Sequence, residues 1–138
     1  MTALICDTSG LLAYFDDQEP DHDATARAVD VELGPLVISP LVLAELDHFL
    51  NTRYHSDAQL AVLDDLSGAS WTIAPFAIAD LRAAREVIAR YRDQQIGLTD
   101  ASLVVLAERY RTNRILTLDQ RHFRVLRTAR DEPFVLLP

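Results

Sequence analysis

Two aspartates of this chain come directly after largely apolar segments. Asp7 follows the run Ala3–Cys6, and Asp119 follows the run Ile115–Leu118. Such a run predicts a short strand buried on both faces, as in the middle of a parallel sheet. Ligands of open α/β sheets bind in the crevice beyond the carboxyl ends of the strands. We therefore expect Asp7 and Asp119 to project at one edge of a sheet, where a substrate would bind.

Two further acids lie early on predicted helices that begin at the same edge. Ser39 and Pro40 predict the start of a helix, and Glu45 lies close to its apolar stripe. A carboxylate near a core usually has a partner or a metal, although a lone glutamate at the edge of a stripe often extends to water. Asp100 lies in the first turn of another helix, which opens near Leu98.

Each acid has a simpler structural explanation by itself, such as helix-dipole matching for Asp100 and capping for Asp119. Their joint position indicates more, because four carboxylates converging on one crevice repel one another unless a cation neutralises them. Oxygen ligands suit Mg²⁺ or Mn²⁺, which hold phosphates and generate hydroxide from water. The hydroxyls of Thr8 and Ser9 lie beside Asp7 and could orient a ligand or a bound water.

Two features of the composition narrow the function classes. All 13 basic residues are arginine, so the chain has no lysine. P-loop NTPases, Schiff-base enzymes and protein kinases each need a lysine, which makes these classes a poor match. The only cysteine, Cys6, excludes an internal disulfide and a cysteine-based zinc site. Its place within a buried strand favours a core residue over a nucleophile.

The charge of the chain is unevenly distributed. The net charge of −8, taken alone, argues mildly against nucleic-acid binding. Seven of the 13 arginines, however, lie between Arg109 and Arg130. This asymmetry indicates a basic region in the C-terminal third beside an acidic remainder. His122, which follows Asp119 closely, could touch a phosphate, but a surface histidine is the simpler interpretation.

Predicted strands and helices alternate along the whole chain, which is typical of an α/β fold with a parallel sheet covered on both faces. The length of 138 residues predicts one domain spanning 1–138. Without a run near the roughly 18–20 apolar residues of a membrane span, or the features of a signal peptide, we expect a cytoplasmic protein. The predicted strands are 3–6, 36–38, 71–74, 115–118 and 134–137, and the main predicted helices are 10–15, 21–33, 41–51, 57–66, 77–92 and one from 98.

Four short motifs resemble those of the PIN domain family. Asp7-Thr8-Ser9 resembles the opening of that family, and the segment Ser39–Glu45 resembles its second acidic motif. Gly97–Ala101 resembles the third motif, and Ile115–Phe123 resembles the fourth acid with its trailing phenylalanine. The four motifs occur in order and span essentially the whole chain. Within the family, the chain looks most like the VapC toxins of bacterial type II toxin–antitoxin pairs.

The resemblance implies a three-layer α/β/α sandwich with a central parallel sheet of about five short strands. It also implies an endoribonuclease that depends on Mg²⁺ or Mn²⁺ and cuts structured RNA, either tRNA or rRNA, by a metal-activated water. Asp7, Asp100 and Asp119 would hold the metal, with Glu45 binding directly or through water. All four acids would be catalytic. The implied partners are a second copy of the chain and a VapB-like antitoxin.

The RNA backbone would be held by arginines of the C-terminal third, although contacts to phosphates carry no sequence information. The residues expected in this role are Arg109, Arg111, Arg114, Arg121 and Arg124. Two alternatives stay open at this point. The chain could be a catalytically silent PIN-like module that binds a partner, or another metal-dependent phosphoesterase or nuclease.

Overall fold

The computed structural model describes all residues, 1–138, and its centre is a sheet of five three-residue strands. The strands are β1 (Leu4–Cys6), β2 (Leu36–Ile38), β3 (Trp71–Ile73), β4 (Arg114–Leu116) and β5 (Val135–Leu137). Every neighbouring pair is parallel, and the spatial order is β3-β2-β1-β4-β5. All carboxyl ends therefore meet at one edge of the sheet, here called the carboxyl edge, and all amino ends meet at the opposite amino edge.

Seven α-helices and one short 3₁₀-helix (Arg92–Gln94) accompany the sheet. The α-helices are α1 (Thr8–Phe15), α2 (His22–Asp30), α3 (Pro40–Arg53), α4 (Ser56–Leu66), α5 (Ile78–Arg90), α6 (Leu98–Arg109) and α7 (Gln120–Phe123). The predicted three-layer α/β/α sandwich around a parallel sheet is confirmed. None of the helices combines the length and apolar character needed to cross a membrane.

The central strand β1 explains why its sequence is apolar without alternation. Leu4, Ile5 and Cys6 have no exposed surface, because β1 pairs with β2 on one side and β4 on the other while helices cover both faces. Burial also raises the pKa of the Cys6 thiol, which keeps it protonated at neutral pH. Asp7 follows this strand and so stands in the middle of the carboxyl edge.

A close approach between α1 and β4 fixes the first helix against the sheet. A Cβ atom added at Gly10 would lie 2.6 Å from the carbonyl oxygen of Leu116, well inside van der Waals contact. Only glycine allows this approach. Because α1 begins at Thr8, the contact also holds the residues around Asp7 against the end of β4.

Two elements differ from their predicted bounds for reasons visible at the carboxyl edge. The strand predicted at 115–118 ends at Leu116. The N–H of Thr117 still donates to the carbonyl oxygen of Leu137 on β5, but side chains take the two N–H groups after it out of the ladder. The N–H of Leu118 donates to Ser9 Oγ (2.9 Å), and the N–H of Asp119 donates to Thr117 Oγ1 (3.0 Å). The helix predicted from residue 10 begins at Thr8 because Asp7 is its N-cap.

Candidate active site

A cavity of about 380 Å³ opens at the carboxyl edge of the sheet. The four acids that the sequence singles out all line it, although they come from four separate parts of the chain. They follow β1, lie on α3, lie on α6 and precede α7. The ten lining residues are Asp7, Thr8, Ser9, Leu12, Glu45, Phe49, Arg53, Asp100, Asp119 and His122.

Asp7 is the most deeply buried of the four acids, with 5% of its surface exposed. Its Oδ1 accepts a hydrogen bond from the N–H of Thr8 (2.8 Å), and its Oδ2 accepts one from the Thr117 hydroxyl (2.8 Å). Burial raises the pKa of Asp7 to about 6, and the negative charges of Asp100 and Glu45 act in the same direction. The two hydrogen bonds oppose this rise but do not cancel it.

Ser9 and Thr117 fix the segment that carries Asp119 beside Asp7. Ser9 Oγ accepts from the N–H of Leu118 and lies 3.2 Å from Thr117 Oγ1. Thr117 in turn bonds both Asp7 and the N–H of Asp119. Ser9 therefore acts on the site by fixing the backbone after β4. Asp119 itself is exposed, and its side chain lines the cavity.

Asp100 lies in the first turn of α6 and bonds a histidine that the sequence interpretation left at the surface. His122 Nδ1 is 2.8 Å from Asp100 Oδ2, and both side chains are four-fifths buried. Burial raises the pKa of Asp100, and the contact with His122 opposes that rise. The interpretation of His122 as a surface residue is therefore wrong. The helical turn α7 brings it back over the cavity, which the local sequence does not reveal.

A buried pair of serines joins the two helices that supply Glu45 and Asp100. Ser39 caps α3 by accepting from the N–H of Leu41 (3.2 Å), and its hydroxyl lies 2.8 Å from that of Ser102 on α6. Both serines have no exposed surface. The pair fixes the starts of α3 and α6 relative to each other, and with them the two acids.

One face of α3 supplies three lining residues spaced four apart. Glu45, Phe49 and Arg53 lie above one another on the helix, as residues at this spacing do. Sequence reasoning identified Glu45 and missed Arg53, which is the only arginine that lines the cavity. The spacing of four from Glu45 reaches Arg53 only because the helix extends to residue 53, two residues beyond its predicted end at 51.

Known proteins resemble this chain over most of its length. A family model for the PIN domain matches residues 4–127. The chain belongs to the PIN domain family. It is also 49% identical over 135 residues to Ribonuclease VapC26 of Mycobacterium tuberculosis, a match that covers 98% of this chain and 100% of that protein. Within the PIN domain family the chain is therefore VapC-like.

Solved structures share the same fold at low sequence identity. The VapC20 toxin of Mycobacterium tuberculosis, described as cleaving the sarcin–ricin loop, superposes with a TM-score of 0.78 at 17% identity, covering 86% of this chain and 91% of that chain. VapBC2 of Rickettsia felis, solved with a promoter DNA fragment, gives a TM-score of 0.70 at 16% identity over 97% of this chain and 96% of that chain. These likenesses support the PIN fold.

The donor set of this PIN domain suits a hard divalent cation. None of the four acids forms an ion pair with an arginine, and the one basic side chain that bonds any of them is His122, beside Asp100. The Thr8 hydroxyl is buried and has no hydrogen-bond partner. No three His, Cys, Asp or Glu side chains are gathered closely enough to ligate one ion by themselves. A cation held here would keep water in part of its coordination shell, as Mg²⁺ commonly does.

The five arginines expected to hold RNA fall into two groups. Arg114 begins β4 at the amino edge and pairs with Glu32, and Arg111 lines a separate cavity at that edge. Arg109, at the far end of α6 from Asp100, bonds Asp80 and the carbonyl oxygen of Pro75, each at 2.6 Å. These three lie away from the acidic cavity. Arg121 and Arg124, on and just after α7, lie at the carboxyl edge near Asp119.

Proposed function

We propose that this VapC-like PIN domain is the toxin of a toxin–antitoxin pair and acts as a divalent-metal-dependent endoribonuclease on structured RNA, either tRNA or rRNA. The observation that carries the proposal is the cavity at the carboxyl edge. Four carboxylates line it without an arginine partner, in a chain 49% identical to a named ribonuclease. Carboxylates converging on one cavity favour binding of an external cation, and such a cation in turn attracts phosphate.

Mg²⁺ or Mn²⁺ would be held by Asp7, Asp100 and Asp119, with Glu45 binding directly or through water. When bound, the ion polarises the phosphoryl oxygen and lowers the pKa of a coordinated water. The residues of the chain supply the rest. Thr117 and the N–H of Thr8 orient the two oxygens of Asp7, and His122 fixes one oxygen of Asp100. These hydrogen bonds restrain the carboxylates of Asp7 and Asp100 before the substrate arrives.

The substrate backbone would be held at the rim of the cavity by Arg121 and Arg124. Arg121 is exposed and forms no ion pair, while the guanidinium of Arg124 donates a hydrogen bond to the side chain of Gln120. Arg109 and Arg114 are engaged with acids elsewhere, so we assign them no phosphate contact. Because phosphate contacts position RNA without reading it, this surface leaves the cleaved sequence undetermined.

The antitoxin partner would cover an apolar groove beside the acidic cavity. The groove runs between α1, α3 and α4 and shares Leu12 with the cavity. A VapB-like segment with apolar side chains in the groove and a basic side chain over the acids would satisfy both surfaces. The lining residues of the groove are Leu12, Phe15, Asp16, Asp17, Leu50, Tyr54, Ala58 and Val62.

A homodimer would bury apolar side chains that the single chain leaves in water. Ile78 and Leu81 lie three residues apart on α5 and are 68% and 48% exposed. Residues at this spacing share one helix face, so they form a patch suited to a second copy. We expect the toxin to act in the cytoplasm, where its RNA substrates are found.

The proposal is tested by incubating the purified chain with unfractionated tRNA and with rRNA. We expect cleavage with Mn²⁺ or Mg²⁺, complete loss of cleavage with EDTA, and recovery when the metal is added back. The products should carry a 5′-phosphate and a 3′-hydroxyl. A generic phosphomonoester and double-stranded DNA serve as control substrates.

Each alternative has its own result in the same experiment. Hydrolysis of the phosphomonoester or of DNA without cleavage of RNA would make the chain a different phosphoesterase. Metal binding without cleavage of any substrate would make it a silent module that binds a partner.

A further inference from the structure

Arg53 is the one arginine side chain in the acidic cavity, and an aromatic ring orients it. It is the only arginine among the ten lining residues, and it forms no hydrogen bond or ion pair although four carboxylates line the same cavity. Arginines placed for stability in this molecule pair with acids, as Arg109 pairs with Asp80 and Arg114 with Glu32. Arg53 is exposed where it lines the cavity, so its unpaired guanidinium is accessible to a ligand from solution.

The side chain of Arg53 is held by an aromatic ring instead of an acid. Its guanidinium carbon lies 4.3 Å from the centre of the Phe49 ring, which itself lines the cavity. Stacking of this kind orients the plane of the guanidinium but uses none of its N–H groups. All five donors therefore stay available for an anion, in the fork arrangement that matches two oxygens of a phosphate.

The position of Arg53 on α3 decides which phosphate it can reach. Arg53 and Glu45 are eight residues apart, which separates their backbones by about 12 Å along the helix. Helical side chains point back towards the N-terminus, which agrees with the stacking of Arg53 on Phe49. This reach is suited to a phosphate next to the scissile one, while the scissile phosphate itself lies nearer the acids.

We propose that Arg53, oriented by Phe49, is a positioning residue that binds an RNA backbone phosphate adjacent to the scissile phosphate. The inference rests on the proposed ribonuclease function. The acids would receive the scissile phosphate through the cation, and Arg53 would fix the strand on the α3 side of the cavity, opposite to the α7 side that carries Arg121. A strand held on both sides cannot slide along the metal site.

The first test compares cleavage kinetics on unfractionated tRNA with Mn²⁺. Arg53→Ala should raise KM about tenfold and change kcat by less than about twofold, because a flanking phosphate is held equally in the ground state and the transition state. Arg53→Lys should recover only part of the loss, since lysine keeps the charge but neither the fork nor the stacking plane. Arg82→Ala is the matched control, because Arg82 is exposed on α5, forms no ion pair and lies outside the cavity.

Phe49 provides a second, independent variant. Phe49→Leu keeps an apolar side chain on α3 but removes the ring face, so it should raise KM less than Arg53→Ala does. The double variant should be no worse than Arg53→Ala, because the ring acts only through the guanidinium. Additive effects of the two substitutions would contradict this dependence and overturn the positioning role of Phe49.

Binding distinguishes failure of this inference from failure of the proposed function. In the Asp7→Asn background, the plot of log binding constant against log salt for tRNA should lose about 0.7 to 0.9 of its slope when Arg53 is replaced by alanine, and nothing when Arg82 is replaced. This readout does not need cleavage. A slope unchanged by Arg53→Ala, or a loss of kcat with KM unchanged, would overturn the inference while leaving the ribonuclease intact. Weaker binding of the co-expressed antitoxin with RNA binding unchanged would assign Arg53 to a protein contact and would also overturn it.

Discussion

The carboxyl and amino edges of the sheet each contain a nearly buried acid, and their surroundings differ. At the carboxyl edge, Asp7 accepts hydrogen bonds only from neutral donors, and burial raises its pKa to about 6. At the amino edge, the Glu32 carboxylate, with its side chain 6% exposed, accepts two hydrogen bonds from Arg114, at 3.0 and 2.5 Å. Those bonds hold the pKa of Glu32 below its usual range.

The difference shows that the fold can neutralise a buried carboxylate with its own side chains. It does so for Glu32 and leaves Asp7 without a cation. An unpaired buried charge destabilises a fold, so a site that keeps one is a candidate for function. The absence of an internal partner at Asp7 is what allows an external cation to bind there.

The rate of RNA cleavage should fall far more when an acid is replaced at the carboxyl edge than when one is replaced at the amino edge. Asp7→Asn should reduce RNA cleavage on the order of 10³-fold or more, because it removes a ligand of the metal and halves the donor oxygens at that position. Glu32→Gln should leave kcat within about twofold once the folded fraction is taken into account, since Glu32 lies at the opposite edge. Cleavage of tRNA with Mn²⁺ and circular dichroism of each variant provide the two measurements.

If Glu32→Gln does not fold, Asp80→Asn replaces it, because Asp80 also pairs with an arginine away from the cavity. Full activity of Asp7→Asn would remove Asp7 from the catalytic site. Equal loss in both variants would mean that the substitutions act through stability.

The sequence predicted the positions of the acids at the carboxyl edge better than it predicted the positions of the arginines. Apolar runs ending on Asp7 and Asp119 placed both acids correctly, because the carboxyl ends of parallel strands must meet. The basic C-terminal third, read as one surface, is divided by the strand β4. Arg114 begins that strand and Arg121 follows it, so they lie at opposite edges. Counting charges along the sequence does not show this separation. The strand predicted between Arg114 and Arg121 does, because its two ends lie at opposite edges of the sheet.

Two contacts could not be read from the sequence because they join distant segments. The Asp100–His122 bond spans 22 residues, and the Arg114–Glu32 pair spans 82. Each depends on where helices come to lie after packing. Arg53 is different, since its relation to Glu45 is local and follows from helical spacing once the helix is extended from its predicted end at 51 to residue 53.

The stability of the metal-free protein should depend on pH in opposite senses at the two acids. The folded pKa of Asp7, about 6, exceeds its ordinary value of 3.8, so the folded state binds the extra proton in this window. Stability therefore falls as pH rises from about 4 to about 6, by an upper bound of roughly 3 kcal/mol. The pKa of Asp100 is also raised and adds to this fall. In Asp7→Asn, the free energy of unfolding should fall less between pH 4 and pH 6 than it does in the wild type. The variant should also unfold at a higher urea concentration than the wild type at pH 7.

The contribution of Glu32 to stability changes with pH in the opposite direction to that of Asp7. Its folded pKa lies below its ordinary value of 4.5, so the stability it contributes is complete above pH 4.5 and is lost as pH falls through the folded pKa. Glu32→Gln should therefore weaken the acid-induced loss of stability and lower stability at neutral pH. Urea unfolding in EDTA between pH 3 and pH 7 measures both variants. A wild-type curve that rises from pH 4 to pH 6 with the same shape in Asp7→Asn would contradict the raised pKa of Asp7.

Metal binding should produce the smallest of the three effects and link stability to the site. A ligand present at ten times its dissociation constant stabilises the folded state by about 1.4 kcal/mol, which for a chain of this length corresponds to about 5 °C in Tm. Mn²⁺ should give this shift in the wild type and in Glu32→Gln, and little or none in Asp7→Asn. The shift should also be smaller at pH 5 than at pH 7, because a proton and the cation compete for Asp7. An equal shift in all three proteins would mean that Mn²⁺ binds elsewhere, and the unpaired charge at the carboxyl edge would then need another explanation.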